Sequence, residues 1–171
     1  QADPELAWSY TGFAAGESAS NVTITGSASC SRTPGETVTG SPYAITCLPG
    51  TLASANYSFA AGTTANLTVG AKALTITADA RSKTYGATLT LGTTAFTTDG
   101  LVNGDTVTDV TLASDGAAAT AIVGSYDVTP SVAIGSGLTN YTIGYVKGTL
   151  VVDPKALTIT ATGRQIGRAH A

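Results

Sequence analysis

Cys30 and Cys47 carry the most definite chemistry in this chain, because two thiols with no third can oxidise to one another or stay buried, and little else. Their spacing fits no zinc pattern, and His170 lies too far along the chain to complete one. A cystine closing a loop of this size is worth about 3 kcal/mol in the chain-entropy account. It belongs in an oxidising compartment, meaning periplasm, cell surface or medium. The alternative is a pair of buried free thiols in a cytosolic chain, which the remaining composition disfavours.

Trp8 and Tyr10 alternate with Ala7 and Ser9 and so share one face of an expected strand. That face is either core or a surface on which a sugar ring could stack. Asp99, Asp105 and Asp109 offer hard oxygen ligands for calcium, yet their spacing fits no EF-hand loop, and Gly104-Asp105 has turn chemistry of its own. Asn21, Asn56, Asn66 and Asn140 each open an Asn-x-Ser/Thr triplet, a glycosylation signal in one setting and turn chemistry in another. Lys72, Lys83, Lys147 and Lys155 could enter isopeptide cross-links only beside a buried carboxylate, and residues 72–154 contain no Glu, which leaves an Asp to substitute. With His170 as the only histidine, no Ser-His-Asp or Cys-His arrangement can be assembled. The expectation is no catalytic residue, no metal and no cofactor.

The elements that must position these residues are strands. Charged residues make up 11% of the 171, against roughly 25% in an ordinary globular domain. Thr, Ser, Ala, Gly and Val fill the space, which suits pleated strands with threonine on the wet face. Eight basic residues, none clustered, and a net charge of -3 give no footprint for nucleic acid or an anionic membrane. No apolar run reaches the roughly 18 residues that span a bilayer. The chain opens at Gln1 without a charged-then-apolar leader, so it reads as an internal or processed fragment.

An internal repeat organises the chain. Lys72-Ala73-Leu74-Thr75-Ile76-Thr77-Ala78 recurs unchanged from Lys155 to Ala161, a step of 83 residues. Pro42-Tyr43-Ala44-Ile45-Thr46 matches Ser125-Tyr126-Asp127-Val128-Thr129 at the same step, and Leu67-Thr68-Val69 matches Leu150-Val151-Val152. Asn56-Tyr57-Ser58-Phe59 matches Asn140-Tyr141-Thr142-Ile143 with one residue of slippage. The expected modules are residues 1–71, lacking an opening strand; residues 72–154, complete; and residues 155–162, the first strand of a third. Gly163 to Ala171 breaks the pattern and is set aside as a non-native or disordered tail.

Alternation within the complete module predicts strands with little or no helix. Leu74, Ile76 and Ala78 face one way. Tyr126, Val128, Val132 and Ile134 suggest a long strand interrupted or bent at Pro130. Lys147-Gly148 reads as a hairpin turn, and Asn103-Gly104 and Asp115-Gly116 as further turns.

These landmarks resemble the MBG ("mostly beta-grasp") family, found in tandem in large bacterial adhesins and filamentous-haemagglutinin-like surface proteins. The residues that carry the resemblance are Lys72 to Ala78, Lys83-Thr84-Tyr85-Gly86, Gly100-Leu101-Val102-Asn103-Gly104-Asp105-Thr106, Val123-Gly124-Ser125-Tyr126 and Asn140-Tyr141-Thr142-Ile143. The first module departs from it, with Thr11 to Glu17 in place of the Gly-Leu-Val-Asn-Gly-Asp stretch and a cysteine pair of its own. The resemblance implies tandem, small β-grasp-like modules serving as stalk units of an extracellular or cell-surface bacterial protein. Its partners would be neighbouring repeats or identical subunits in a filament, and possible ligands are host or environmental glycans. A further expectation follows from the repeat: Lys155, Ala156, Leu157, Thr158, Ile159, Thr160 and Ala161 form a spare strand that could complete the first module of another molecule.

Overall fold

A computed structural model describes residues 3–163. Among the described residues the protein is mostly β, with 39% in strands, 4% in helix and no helix of seven or more residues. Its contacts group into two compact units whose boundary falls between Lys72 and Ala73, with the short stretch Thr139–Thr142 grouped with the first.

The first unit carries one antiparallel sheet, β1 (Ser29–Arg32), β2 (Tyr43–Leu48) and β3 (Ala65–Leu67), in the order β1-β2-β3. Pro42 and Pro49 bracket β2, where a missing N–H is tolerated at a strand end. Residues 3–28 form no strand, apart from a single bridge between Thr25 and Ala53. The strand expected around Trp8 and Tyr10 is therefore absent. Alternation over four residues proposes a pleat, but only a neighbouring strand can satisfy the ladder groups it exposes.

In the second unit, β5 (Arg81–Thr84), β7 (Thr106–Ala113), β8 (Gly124–Ser136) and β10 (Gly148–Asp153) form a sheet in the order β5-β10-β8-β7. The remaining strands, β4 (Lys72–Ala78), β6 (Phe96–Asp99) and β9 (Tyr141–Val146), form a second sheet with β4 in the middle. Strands β5 and β10 are parallel. Leu74, Ile76, Val110, Val128, Leu150 and Val152 are the largest fully buried side chains. Ala78, Val128 and Leu150 make one core cluster, with Leu89, Leu91, Leu112 and Tyr126 against it.

Both sheets use the same register at the repeat. Tyr43 pairs with Leu67 and Ile45 with Ala65. In the second unit Tyr126 pairs with Leu150 and Val128 with Gly148. Each partner is displaced by the same 83 residues, so the repeat in sequence is a repeat in hydrogen bonding. Each tyrosine ring is also met by a glycine, Gly35 at Tyr43 and Gly116 at Tyr126. A Cβ on Gly116 would fall 2.7 Å from Cγ of Tyr126. Gly116→Ala is expected to cost about 1–3 kcal/mol through this overlap, measurable as a lower urea midpoint with an unchanged slope.

Strand β8 runs through Pro130 without a break because its partner changes there. Gly124 to Val128 bond to β10, while Thr129 to Ser136 bond to β7, so the proline sits where the ladder is one-sided. The irregularity falls nearby, with register shifts along β7 and Val132 at φ 46°. A β-branched residue in left-handed backbone is strained. Val132 is exposed, so Val132→Asn should raise stability by about 1 kcal/mol, read as a higher melting temperature.

Three expectations from the sequence meet different outcomes. Asn103-Gly104 forms its turn, with both residues at positive φ and Asp105 N donating to Val102 O at 3.0 Å. Lys147-Gly148 is not a hairpin, since β9 belongs to the sheet of β4 and β10 to that of β8 and β5. The chain changes sheet there, and Gly148 allows it by passing close to the Ala78 carbonyl, where a Cβ would clash. Lys155 to Ala161 form no strand. The same seven residues are a strand in β4 because β6 and β9 flank them.

Candidate functional site

The cysteines lie opposite one another in the β1–β2 ladder, in a register that pairs Cys30 with Cys47. They form a disulfide across a sequence separation of 17. Next to it in β1, Arg32 organises the loop that follows. Its guanidinium donates to Asp3 Oδ2 at 2.7 Å, to Gly35 O at 2.7 Å and to Glu36, and stacks 5.6 Å from the Tyr43 ring centroid. The Arg32 hydrogen bond holds the Asp3 carboxyl below its ordinary value and raises Arg32 in turn. Because the folded Asp3 value is depressed, what this pair contributes is present at neutral pH. It is lost as pH falls through the Asp3 value. The Tyr43 hydroxyl accepts from Thr37 N and donates to Thr37 O, both at 2.9 Å.

Trp8 and Tyr10 do come together, though without a strand. Their rings meet edge to face at 4.9 Å. Tyr10 also packs against Phe13 and Phe59, each at 6.0 Å, and Phe13 against Tyr57 at 5.6 Å. The Tyr57 hydroxyl accepts from Ala14 N at 3.0 Å and donates to Glu17, which raises its pKa. Trp8, Tyr10 and Phe59 border a cavity of about 370 Å³, lined also by Ile45 and Leu52 among others. Trp8 is 42% exposed.

Phe59 and Ile45 were not anticipated as members of this groove, nor Phe13 and Tyr57 as rings packed behind Tyr10. The repeat held the signal: Ile45 stands 83 residues before Val128 in the core cluster, and Tyr57 matches the buried Tyr141. Among residues 3–71, Tyr43 alone is buried.

The other candidates disperse. Asp109 accepts from Thr93 Oγ1 at 2.8 Å, and no group of three or more His, Cys, Asp or Glu among the described residues is placed to hold a metal. Asn21 closes a local turn, accepting from Ser18 N at 2.6 Å and donating to Gly16 O at 2.9 Å. Lys83 is buried, and its ammonium donates to the carbonyls of Ala87, at 2.9 Å, and Ala118. Lys147 donates to Asp127 at 2.8 Å in an exposed pair, which raises its pKa. His170 and residues 164–169 and 171 of the expected tail lie outside the described residues. Leu157 and Ile159, within the candidate strand, are 91% and 97% exposed.

A repeated ladder register in serial mostly-β modules defines a tandem-repeat protein. The model of the MBG domain (YGX type) family matches it twice, over residues 1–68 and 74–151. The chain belongs to that family, and Tyr85-Gly86-Ala87 carries the Tyr-Gly-X of the description. Such repeats are common in extracellular surface proteins. No curated protein and no solved structure gives a significant match.

Proposed function

We propose that these modules are structural units of an extracellular bacterial adhesin stalk or surface filament, spacing a distal binding region from the cell without catalysing a reaction. The observation that carries this reading is the shared register, Tyr43 to Leu67 and Tyr126 to Leu150, by which one strand-pairing solution is used twice in series. A repeat whose conserved geometry is its hydrogen-bond ladder, with its fully buried residues all aliphatic, is built to be stacked rather than to turn over a substrate. The cystine supports an oxidising location.

Trp8 favours a second reading, in which the repeats themselves bind glycans, because a half-exposed indole beside a groove is a stacking platform. Titrating the chain against a glycan panel while following Trp8 emission separates the two. The spacer reading expects no saturable change with any glycan. A saturable shift, with heat of binding in calorimetry that a Trp8→Ala variant abolishes, would replace it with the adhesive one.

A further inference from the structure

Strand β8 has a single neighbour along its outer half. Gly124 to Val128 bond to β10, but Thr129 to Ser136 pair with β7 alone, and among the described residues no strand pairs with their other side. Val132 and Ile134 stand on this stretch 66% and 59% exposed. Residues 130–136 carry no charge, although charge is a usual means of keeping a second strand off an edge. An uncharged edge with exposed aliphatics is where another chain would add.

Three features of the stretch oppose that addition. Pro130 has no N–H to offer. Val132 sits at φ 46°, so the main chain leaves the pleat that a partner strand would follow. Strain of this kind at a β-branched residue points to a role. The N–H of Ala133 donates to the Tyr145 hydroxyl at 2.9 Å. A side chain of β9 thus holds the place of a neighbouring strand's carbonyl.

The first module provides the contrast. There β2 ends at Leu48, and Leu52 N donates to Pro49 O at 3.0 Å, which turns the chain. At the 83-residue step Pro49 to Leu52 correspond to Val132 to Gly135. The strand is not extended, and no aromatic stands at the counterpart of Tyr145, where Ala61 and Gly62 lie. The phenol accompanies the longer strand.

We propose that Tyr145 closes the β8 edge by an internal contact, and that the surface it withholds is one on which the same edge of a second copy would pair antiparallel. Such pairing would take Val132 and Ile134 of both copies out of water. The inference goes beyond the stalk reading, which concerns spacing and says nothing of edges. Modules in series meet at effective concentrations on the order of millimolar, and repeats with open edges misassemble with one another. A closed edge keeps them apart.

Tyr145→Phe removes one hydroxyl from an exposed ring, so the fold should persist, and far-ultraviolet dichroism checks that it does. Hydrogen exchange at Ala133 and sedimentation over a concentration series then read the edge. The proposal expects Ala133 to be protected in the native chain and to exchange roughly five- to tenfold faster in Tyr145→Phe, the worth of one lost hydrogen bond. It expects Tyr145→Phe to associate as concentration rises. Tyr145→Phe/Ile134→Lys should sediment like the native chain, since a charge on the edge restores the block. Ile134→Lys alone should change nothing. A native Ala133 amide that exchanges as fast as an unstructured one would overturn the contact without any variant. Tyr145→Phe that sediments like the native chain would overturn the closure. Association of Tyr145→Phe that survives Ile134→Lys would place the contact elsewhere and overturn the surface. Native association that Ile134→Lys abolishes would show the edge already open, which also overturns it.

Discussion

Ile76→Ala is expected to cost the second module about 2–5 kcal/mol, a full-sized core truncation, whereas Ile159→Ala should change stability by less than about 0.5 kcal/mol in the dilute chain. The two isoleucines occupy the same position of an identical seven-residue sequence, so propensity and local pattern cannot distinguish them. Burial does: Ile76 is 0% exposed and Ile159 97%. Removing Ile76 deletes buried carbons at about 0.8 kcal/mol each and leaves a cavity between strands whose hydrogen bonds to β6 and β9 resist collapse. At Ile159 the carbons removed were already in water. Denaturant unfolding of both variants at concentrations below any assembly would measure the difference. Equal losses would show that Lys155–Ala161 is packed within its own chain.

The same comparison shows what could be read before the structure was in hand. The repeat, the mostly-β class and the disulfide were legible, because a fixed step of 83 residues, β-branched alternation and two lone cysteines are properties of the chain itself. The apolar face of β4 was legible for the same reason, as Leu74, Ile76 and Ala78 alternate with threonines. What failed were inferences from local pattern to strand pairing. Ala7 to Tyr10 alternate as well as many strands do, yet nothing lies beside them to complete a ladder. Lys147-Gly148 has the letters of a hairpin turn but joins strands of different sheets, because β9 is committed to β4. The long strand expected around Pro130, interrupted or bent, is one strand, irregular near the proline, but the change of partner there was not legible. Each miss concerns a non-local partner, which no window of seven residues contains. The groove itself was only half visible: Trp8 and Tyr10 share a face in the sequence, while Ile45 and Phe59 join them from positions 35 or more residues away.

Replacing both cysteines in a Cys30→Ser/Cys47→Ser variant should remove about 3 kcal/mol, the loop-closure entropy for a ring of this length, and the loss should fall on the first module alone. The asymmetry follows from the cores. The second module contains no cysteine and buries Leu74, Ile76, Val110, Val128, Leu150 and Val152 completely. In the first, only Tyr43 among residues 3–71 is buried, and its sheet is held by four register pairs between β1 and β2 and three between β2 and β3. A small domain with so little apolar burial has a narrow margin, so a loss of about 3 kcal/mol is enough to unfold it. Trp8 lies in the first module and the second has no tryptophan. Emission therefore follows one module while far-ultraviolet dichroism follows both. Reduction of the native chain should move Trp8 to the emission of a solvated indole at a temperature where most strand signal persists, and the second melting transition should not shift. A reduced chain that melts in one transition at the unreduced temperature would show instead that the first module holds without its cystine, and that its groove is better packed than the exposure of Trp8 indicates.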